Sequence, residues 1–182
     1  ALPGIRIRIT DRESGAELPQ GEIGLIEVKG PNVFEGYWNM PEKTASEFRQ
    51  DGFFITGDLG TIGPDGYLRI VGRDKDLVIS GGYNVYPKEV EEAIDALPGV
   101  LESAVIGLPH PDLGEAVTAI VVAKSADLDP DGIRAALSDS LARFKQPKRV
   151  ILAEALPRNV MGKVQKAELR KAHAGLYAGA SA

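Results

Sequence analysis

Cysteine is absent from all 182 residues. That removes disulfides, thiolate nucleophiles and thiolate metal ligands together, and it fits a cytoplasmic protein. Histidine is nearly absent too: His110 and His173 are the only two and lie far apart in sequence. A His-based zinc site or a Ser-His-Asp triad is therefore not expected, and no metal site is assigned. No apolar run approaches the ~20 residues that span a bilayer, so no membrane partner is expected. The first residues, Ala1-Leu2-Pro3-Gly4-Ile5-Arg6, lack a basic region followed by an apolar one, so no signal peptide is expected. They also lack an initiator methionine, as a piece of a longer chain would.

What is present is enough apolar side chain, 43% of residues, to bury a core in one domain or two small ones. The net charge of −5 conceals a segregation. Residues 1–74 hold 8 basic and 12 acidic side chains, residues 75–142 hold 4 and 12, and residues 143–182 hold 9 and 2. A basic end on an acidic chain points to a polyanionic ligand or to a basic solvated surface. A nucleic-acid partner is not expected, because stacking aromatics are sparse there and the whole chain is acidic.

Residues 5–10 alternate strictly between apolar and polar and predict a half-buried strand; 24–30 predict a second. Residues 39–48 read as a short helix with a proline in its first turn. Strands at 53–56 and 67–71, joined by the Pro64-Asp65-Gly66 turn, read as a hairpin. The pattern changes near Gly72. A short strand at 77–80 ends at Gly81-Gly82, and Pro87 opens a helix with Val90, Ile94 and Leu97 on one face. Apolar strands follow at 101–108 and 116–123. Asp129-Pro130 caps a helix carrying Ile133, Leu137, Leu141 and Phe144 on one side. A strand at 149–155 and a helix at 163–174 complete the order, and 178–182 read as a frayed end. The fold class is α+β, with a β module passing into an α/β module around 72–76.

Four stretches carry chemistry. In Phe53-Phe54-Ile55-Thr56-Gly57-Asp58 a strand ends in Thr-Gly and presents a carboxylate, which can accept bonds from the vicinal hydroxyls of a ribose or cap a loop. Val71-Gly72-Arg73-Asp74-Lys75-Asp76-Leu77 is a charged connection at the module boundary, suited to a hinge. Gly81-Gly82 either lets a ligand pass close to the backbone or makes a tight strand-to-helix connection. In 156–163, Lys163 follows a glycine on a polar, flexible loop, where an ammonium can neutralise charge building on a carboxylate and a phosphate. The P-loop spacing is not matched.

Taken in order, GYWNMPEKTASEF, DGFFITGD, GRDKDLVISGGYNVYPKEVE and LPRNVMGKVQK resemble the signatures of the adenylate-forming superfamily: acyl-CoA synthetases, luciferases and peptide-synthetase adenylation domains. The similarity runs from about residue 3 to residue 172. It implies a two-step ligase using ATP, Mg²⁺ and CoA, in which a mobile C-terminal domain rotates between adenylation and thioester formation. By that resemblance 1–72 are the last, short β-barrel-like subdomain of a large N-terminal domain. Residues 73–76 are the hinge, and 77–182 are a small α/β C-terminal domain with a short sheet flanked by helices.

The resemblance also implies roles. Asp58 holds the ribose hydroxyls, Arg73 reaches ribose or phosphates, and Ile70 lies near the nucleotide. Lys75 takes the hinge position. Lys163 is the adenylation lysine, and in several relatives it is the target of a protein lysine acetyltransferase, which would remove its charge. Gly81 and Gly82 line the pantetheine tunnel. Phe144 and Lys148 meet the CoA nucleotide, whereas Gln146 stands where some members carry a cation; helical spacing alone reads Phe144 as core packing with Leu141. The phosphate-binding loop, the Mg-ATP motif and most of the acid pocket would lie upstream, in the N-terminal domain of the same enzyme, so these residues alone are expected to be inactive. The wording of the motifs is close to the malonyl-CoA synthetase subgroup, which implies malonate or methylmalonate, with other short or medium-chain acids next. A carrier-protein acceptor, or a non-catalytic module that docks an acetyltransferase, are the alternatives.

Overall fold

A computed structural model describes residues 3–124 and 128–179. The chain divides into two compact units, Ala1–Lys75 and Asp76–Ala182. The expected frayed end at 178–182 lies, from residue 180 on, outside the described residues.

Unit 1 is an antiparallel meander of β1 (Arg6–Thr10), β2 (Gly24–Lys29), β3 (Phe54–Ile62) and β4 (Leu68–Arg73), in that spatial order, with the short helix α1 (Pro41–Glu47) between β2 and β3. Among the described residues β1 and β4 do not pair, so the sheet is open. This corrects the barrel-like expectation: four short strands twist but have too few neighbours to close. Ile9, Leu25, Ile26, Phe53 and Leu59 form its apolar interior. Beside them lies a charged group that the sequence reading missed. Glu27 on β2 is fully buried, accepting from Arg8 Nε at 2.8 Å, Arg49 Nε at 2.7 Å and Thr10 Oγ1 at 2.9 Å. Arg8 and Glu27 are register partners, so the β1–β2 pairing itself brings the pair together.

Unit 2 is built around β8 (Gly114–Ala123). On one side it pairs antiparallel with β7 (Val100–His110). Its other side is shared end to end by β5 (Val78–Ser80), bonded at Gly114, and β9 (Arg149–Ala153), parallel along 118–122. A parallel pair needs a long crossover, and the β8–β9 connection supplies it with α3 (Pro130–Leu137). The continuous buried run Ala116–Val122 follows from covering both faces. Val117, Ala119 and Val121 face α2 (Pro87–Asp95) and α3; Ala116, Ile120 and Val122 face α4 (Lys166–Ala172) and the tail at Leu176 and Tyr177. This is the period of two expected of a strand.

Two boundaries differ from the sequence pattern. α3 is capped as expected, with Gly132 N–H donating to Asp129 at 2.8 Å, but it ends at Leu137. Ser138 and Ser140 turn their hydroxyls back onto the carbonyls of Ala135 and Leu137, which loosens the helix. Leu141 and Phe144 still reach the same core from a turn. α4 begins at Lys166 rather than at residue 163.

Fold also resolves the charge segregation. Within unit 2 the basic end pairs with the acidic middle: Lys145 with Glu89, Lys166 with Glu91, Arg158 with Glu102 and Arg170 with Asp76. Four of the nine late cations therefore have internal partners, which weakens a charge-only argument for a polyanion.

Candidate functional site

The residues singled out in sequence fall into groups within each unit. In unit 1, Asp58 and Arg73 are register partners on β3 and β4, and Arg73 Nε lies 2.9 Å from Asp58 Oδ1. Asp58 is not at a strand end, as the motif suggested. β3 continues through it, and between the pairs Leu25–Leu59 and Glu27–Ile55 the register shifts, so that Thr56-Gly57-Asp58 bulge out of the ladder. Bulges of this kind re-aim side chains and are frequent beside active sites. The bulge is tied down on every side. Thr56 Oγ1 donates to Ile26 O at 2.9 Å and accepts from Asp58 N–H at 3.1 Å, while Arg73 Nη1 donates to Thr56 O at 3.2 Å. Asp58 stays about a quarter exposed and Arg73 about half, so the pair can exchange partners with a polar ligand. Ile70, on β4, is 64% exposed, an apolar side chain left in solvent.

Lys75 is the last residue of unit 1, inside the single 3-10 turn Asp74–Asp76. It is exposed, and among the described residues its side chain has no ion pair.

In unit 2, Gly81 and Gly82 form a two-residue hairpin between β5 and β6 (Tyr83–Val85), with Ser80 opposite Tyr83. This differs from a plain strand-to-helix connection. Both glycines have positive φ, 58° and 81°, the geometry of the hairpin turn that matches strand twist. The turn presents Tyr83, whose ring stacks on Phe144 at 4.7 Å and 26°. The structure thus brings the glycine pair and Phe144 together through Tyr83, a residue that sequence reasoning did not single out. Phe144 also packs on the core, as its helical spacing with Leu141 predicted. Lys148 faces a different place, a depression of about 320 Å³ that it lines with Arg134 and Arg149. The side-chain amide of Gln146, the departure from the expected cation, donates to Leu141 O at 2.9 Å.

Lys163 lies between β9 and α4 on a turn that is closed rather than loose. Asn159 N–H donates to Lys163 O at 3.0 Å, and Gly162 N–H donates to Asn159 O at 2.9 Å. The Asn159 side-chain oxygen accepts from both Met161 N–H and Lys163 N–H at 3.0 Å. Arg158 Nη1 donates to Gly162 O at 2.6 Å, and the same guanidinium pairs with Glu102. Val160, Met161 and Lys163 stand exposed at the tip, and among the described residues Lys163 has no ion pair. An asparagine four residues before the lysine, with a glycine between, is the available signal for such a turn. Among the described residues no group of three or more His, Asp or Glu is placed to hold a metal. No helix among them is long and apolar enough to cross a membrane.

The exposed Lys163 on its hydrogen-bonded tip and the bulged Asp58–Arg73 pair lie on the motifs that carry the resemblance to the adenylate-forming superfamily. Residues 89–163 match the family described as the AMP-binding enzyme C-terminal domain. The chain belongs to the adenylate-forming acyl-CoA synthetases and corresponds to the C-terminal part of such an enzyme. It resembles the ATP-bound structure of MatB from Rhodopseudomonas palustris at 63% identity and a TM-score of 0.92, over 97% of this chain and 35% of that one. It is 47% identical over 159 residues to a feruloyl-CoA synthase of Amycolatopsis, covering 87% of this chain and 32% of that protein. It is 41% identical over 182 residues to a malonate–CoA ligase of Arabidopsis thaliana, covering 93% of this chain and 29% of that protein. The chain therefore spans about a third of the length of the curated relatives it matches.

Proposed function

We propose that this chain is the catalytic and mobile end of an ATP-dependent acid–CoA ligase, most suited to malonate or methylmalonate. In the first half-reaction the substrate carboxylate attacks the α-phosphorus of ATP and pyrophosphate leaves. In the second, the CoA sulfur attacks the acyl carbon and AMP leaves. The observation that carries this reading is Lys163, whose main chain is fixed in a hydrogen-bonded turn and whose exposed side chain has no ion pair among the described residues. An ammonium free of other partners can meet charge that grows on the carboxylate and α-phosphate as they react. Asp58 would accept from the ribose hydroxyls while Arg73 turns toward ribose or phosphate. Ile70 would give the nucleotide an apolar surface. The Gly81–Gly82 hairpin leaves room beside the backbone for a pantetheine arm, next to the Tyr83–Phe144 stack. Lys148 would meet CoA phosphate. The ligands for Mg²⁺ would lie in the N-terminal domain of the same enzyme.

Malonate is favoured by the motif wording and by the likeness to the malonate–CoA ligase. The higher identity to a feruloyl-CoA synthase supports a second reading, in which the same half-site serves an aromatic acid. An exposed Lys163 would also be accessible to a protein lysine acetyltransferase. Mass spectrometry after incubation with such an enzyme would show Lys163 acetylated, and an unmodified Lys163 would end that reading.

The central experiment follows pyrophosphate and AMP release by the enzyme that carries this chain, with ATP, Mg²⁺, CoA and either malonate or ferulate. Lys163→Ala is expected to slow pyrophosphate release by on the order of 10²–10³, the loss typical of removing one preorganised charge-stabilising group. The chain alone is expected to be silent. Retained adenylation in Lys163→Ala would overturn the role of the lysine. A preference for ferulate would overturn only the acid.

A further inference from the structure

On each side of Lys75 stands an aspartate, and each aspartate is held within its own unit. Asp74 pairs with Arg12, which follows β1 in unit 1. Asp76 accepts from Arg170 Nη2 at 2.7 Å, on α4 of unit 2. Arg170 is itself well anchored. One turn earlier on the same helix, Lys166 Nζ pairs with Glu91 at 2.6 Å, and Glu91 also accepts from Val105 N–H at 2.8 Å. Residues i and i+4 share a helix face, so α4 grips α2 with one cation and the start of unit 2 with the next. Between the two anchored acids, Lys75 is exposed and has no ion pair among the described residues.

We infer that Arg12 and Arg170 are positioning residues that clamp Asp74 and Asp76 and so confine rotation between the units to the backbone of Lys75. The inference rests on the ligase reading above, in which the two units rearrange between half-reactions. A trans peptide plane on each side leaves one residue with two soft torsions as the pivot. A pivot of one residue swings a rigid body along a defined path, whereas a loose linker samples many orientations. The two clamps are unequal. Asp76 is less exposed than Asp74, 18% against 32%, so the Arg170 clamp resists salt better than the Arg12 clamp.

The test uses the whole 182-residue chain, whose lack of cysteine allows one spin label in each unit through Glu22→Cys and Ala136→Cys. Nitrogen relaxation is read at Asp74, Lys75 and Asp76, and the label-to-label distance distribution is read alongside. The expected result is an order parameter near ~0.85 at both aspartates and below ~0.6 at Lys75. Arg170→Gln should bring Asp76 below ~0.6 as well and widen the distance distribution. Reversing the pair, Asp76→Arg with Arg170→Asp, should restore both readings, which a merely destabilised helix would not do. If Arg170→Gln leaves Asp76 rigid and the distribution unchanged, the clamp is refuted while the ligase reading stands. If Lys75 is as rigid as its neighbours and the distances form one narrow peak, the hinge itself is refuted, and the clamp with it.

Discussion

The two units reach a fold by different means. Unit 1 keeps an open sheet of four strands and places a fully buried glutamate between two guanidinium groups. Unit 2 covers both faces of its sheet and buries an apolar central strand from residue 116 to 122, with Thr118 as its one polar side chain. Directional, charged contacts fail when one atom is removed. Apolar burial fails in proportion to the volume lost. Unit 1 should therefore be brittle toward changes of charge, and unit 2 toward changes of size.

The largest expected effect is at Glu27. Glu27→Ala leaves Arg8 and Arg49 facing a site built for a carboxylate, and breaking a buried pair in this way costs about 3–5 kcal/mol. Denaturant unfolding followed by amide exchange should show unit 1 lost early while protection in unit 2 persists. Equal loss in both units would mean that they do not differ as described.

Next is Ile106, fully buried on β7 against Ile120 and Leu169. Ile106→Ala should cost about 2–5 kcal/mol, read as earlier exchange in unit 2 alone.

A smaller effect appears at alkaline pH, where each unit holds a tyrosine with a raised pKa, Tyr37 in unit 1 through its bond to Glu47 and Tyr177 in unit 2. Tyr177 is pushed above its ordinary value near 10 by burial, with its bond to Thr118 opposing. A raised folded pKa means stability that is complete below the unfolded value and lost as pH rises past it. Unit 2 should thus loosen above about pH 10, the ordinary tyrosine value. Tyr177→Phe should flatten that alkaline limb, at a cost near neutrality of about 1 kcal/mol for the bond to Thr118.

The smallest effect is the acid counterpart. Asp51 is held below the usual carboxylate range by its bond to Arg8, Asp11 by Ser14, and Asp65 by the Tyr67 N–H. All three lie in unit 1. Depressed values give stability that is present above the ordinary range and lost as pH falls through the folded values. Chemical shifts of unit 1 should therefore move first on acidification. If unit 2 moves first, the contrast in pH response is wrong.

The sequence made some elements plain and hid others, for physical reasons. Strict alternation marked β1, and apolar-rich stretches marked β7 and β8, because burial on one face or two leaves a readable pattern. The apolar spacing of Ile133, Leu137, Leu141 and Phe144 was read as one helix. All four do face one core, but two serine hydroxyls end the helix halfway along. β6 went unnoticed because a three-residue strand beyond a glycine pair has no period to read. Glu27 could not be found from its neighbours, since burial of a charge depends on guanidinium groups contributed from 19 residues before it and 22 after. At the candidate site the motifs singled out Asp58, Arg73 and Lys163, but showed neither the bulge that carries the first nor the turn that holds the main chain of the last.

That turn has a consequence for how the chain tolerates change. Its closure uses main-chain groups, the Asn159 amide and the Arg158 guanidinium, and asks nothing of the side chains at positions 160, 161 and 163. Positions 160 and 161 can drift, be replaced by unnatural residues or carry a reporter group without disturbing the scaffold beneath them. The tip is a natural attachment point, where chemistry can be rewritten while the architecture is left alone.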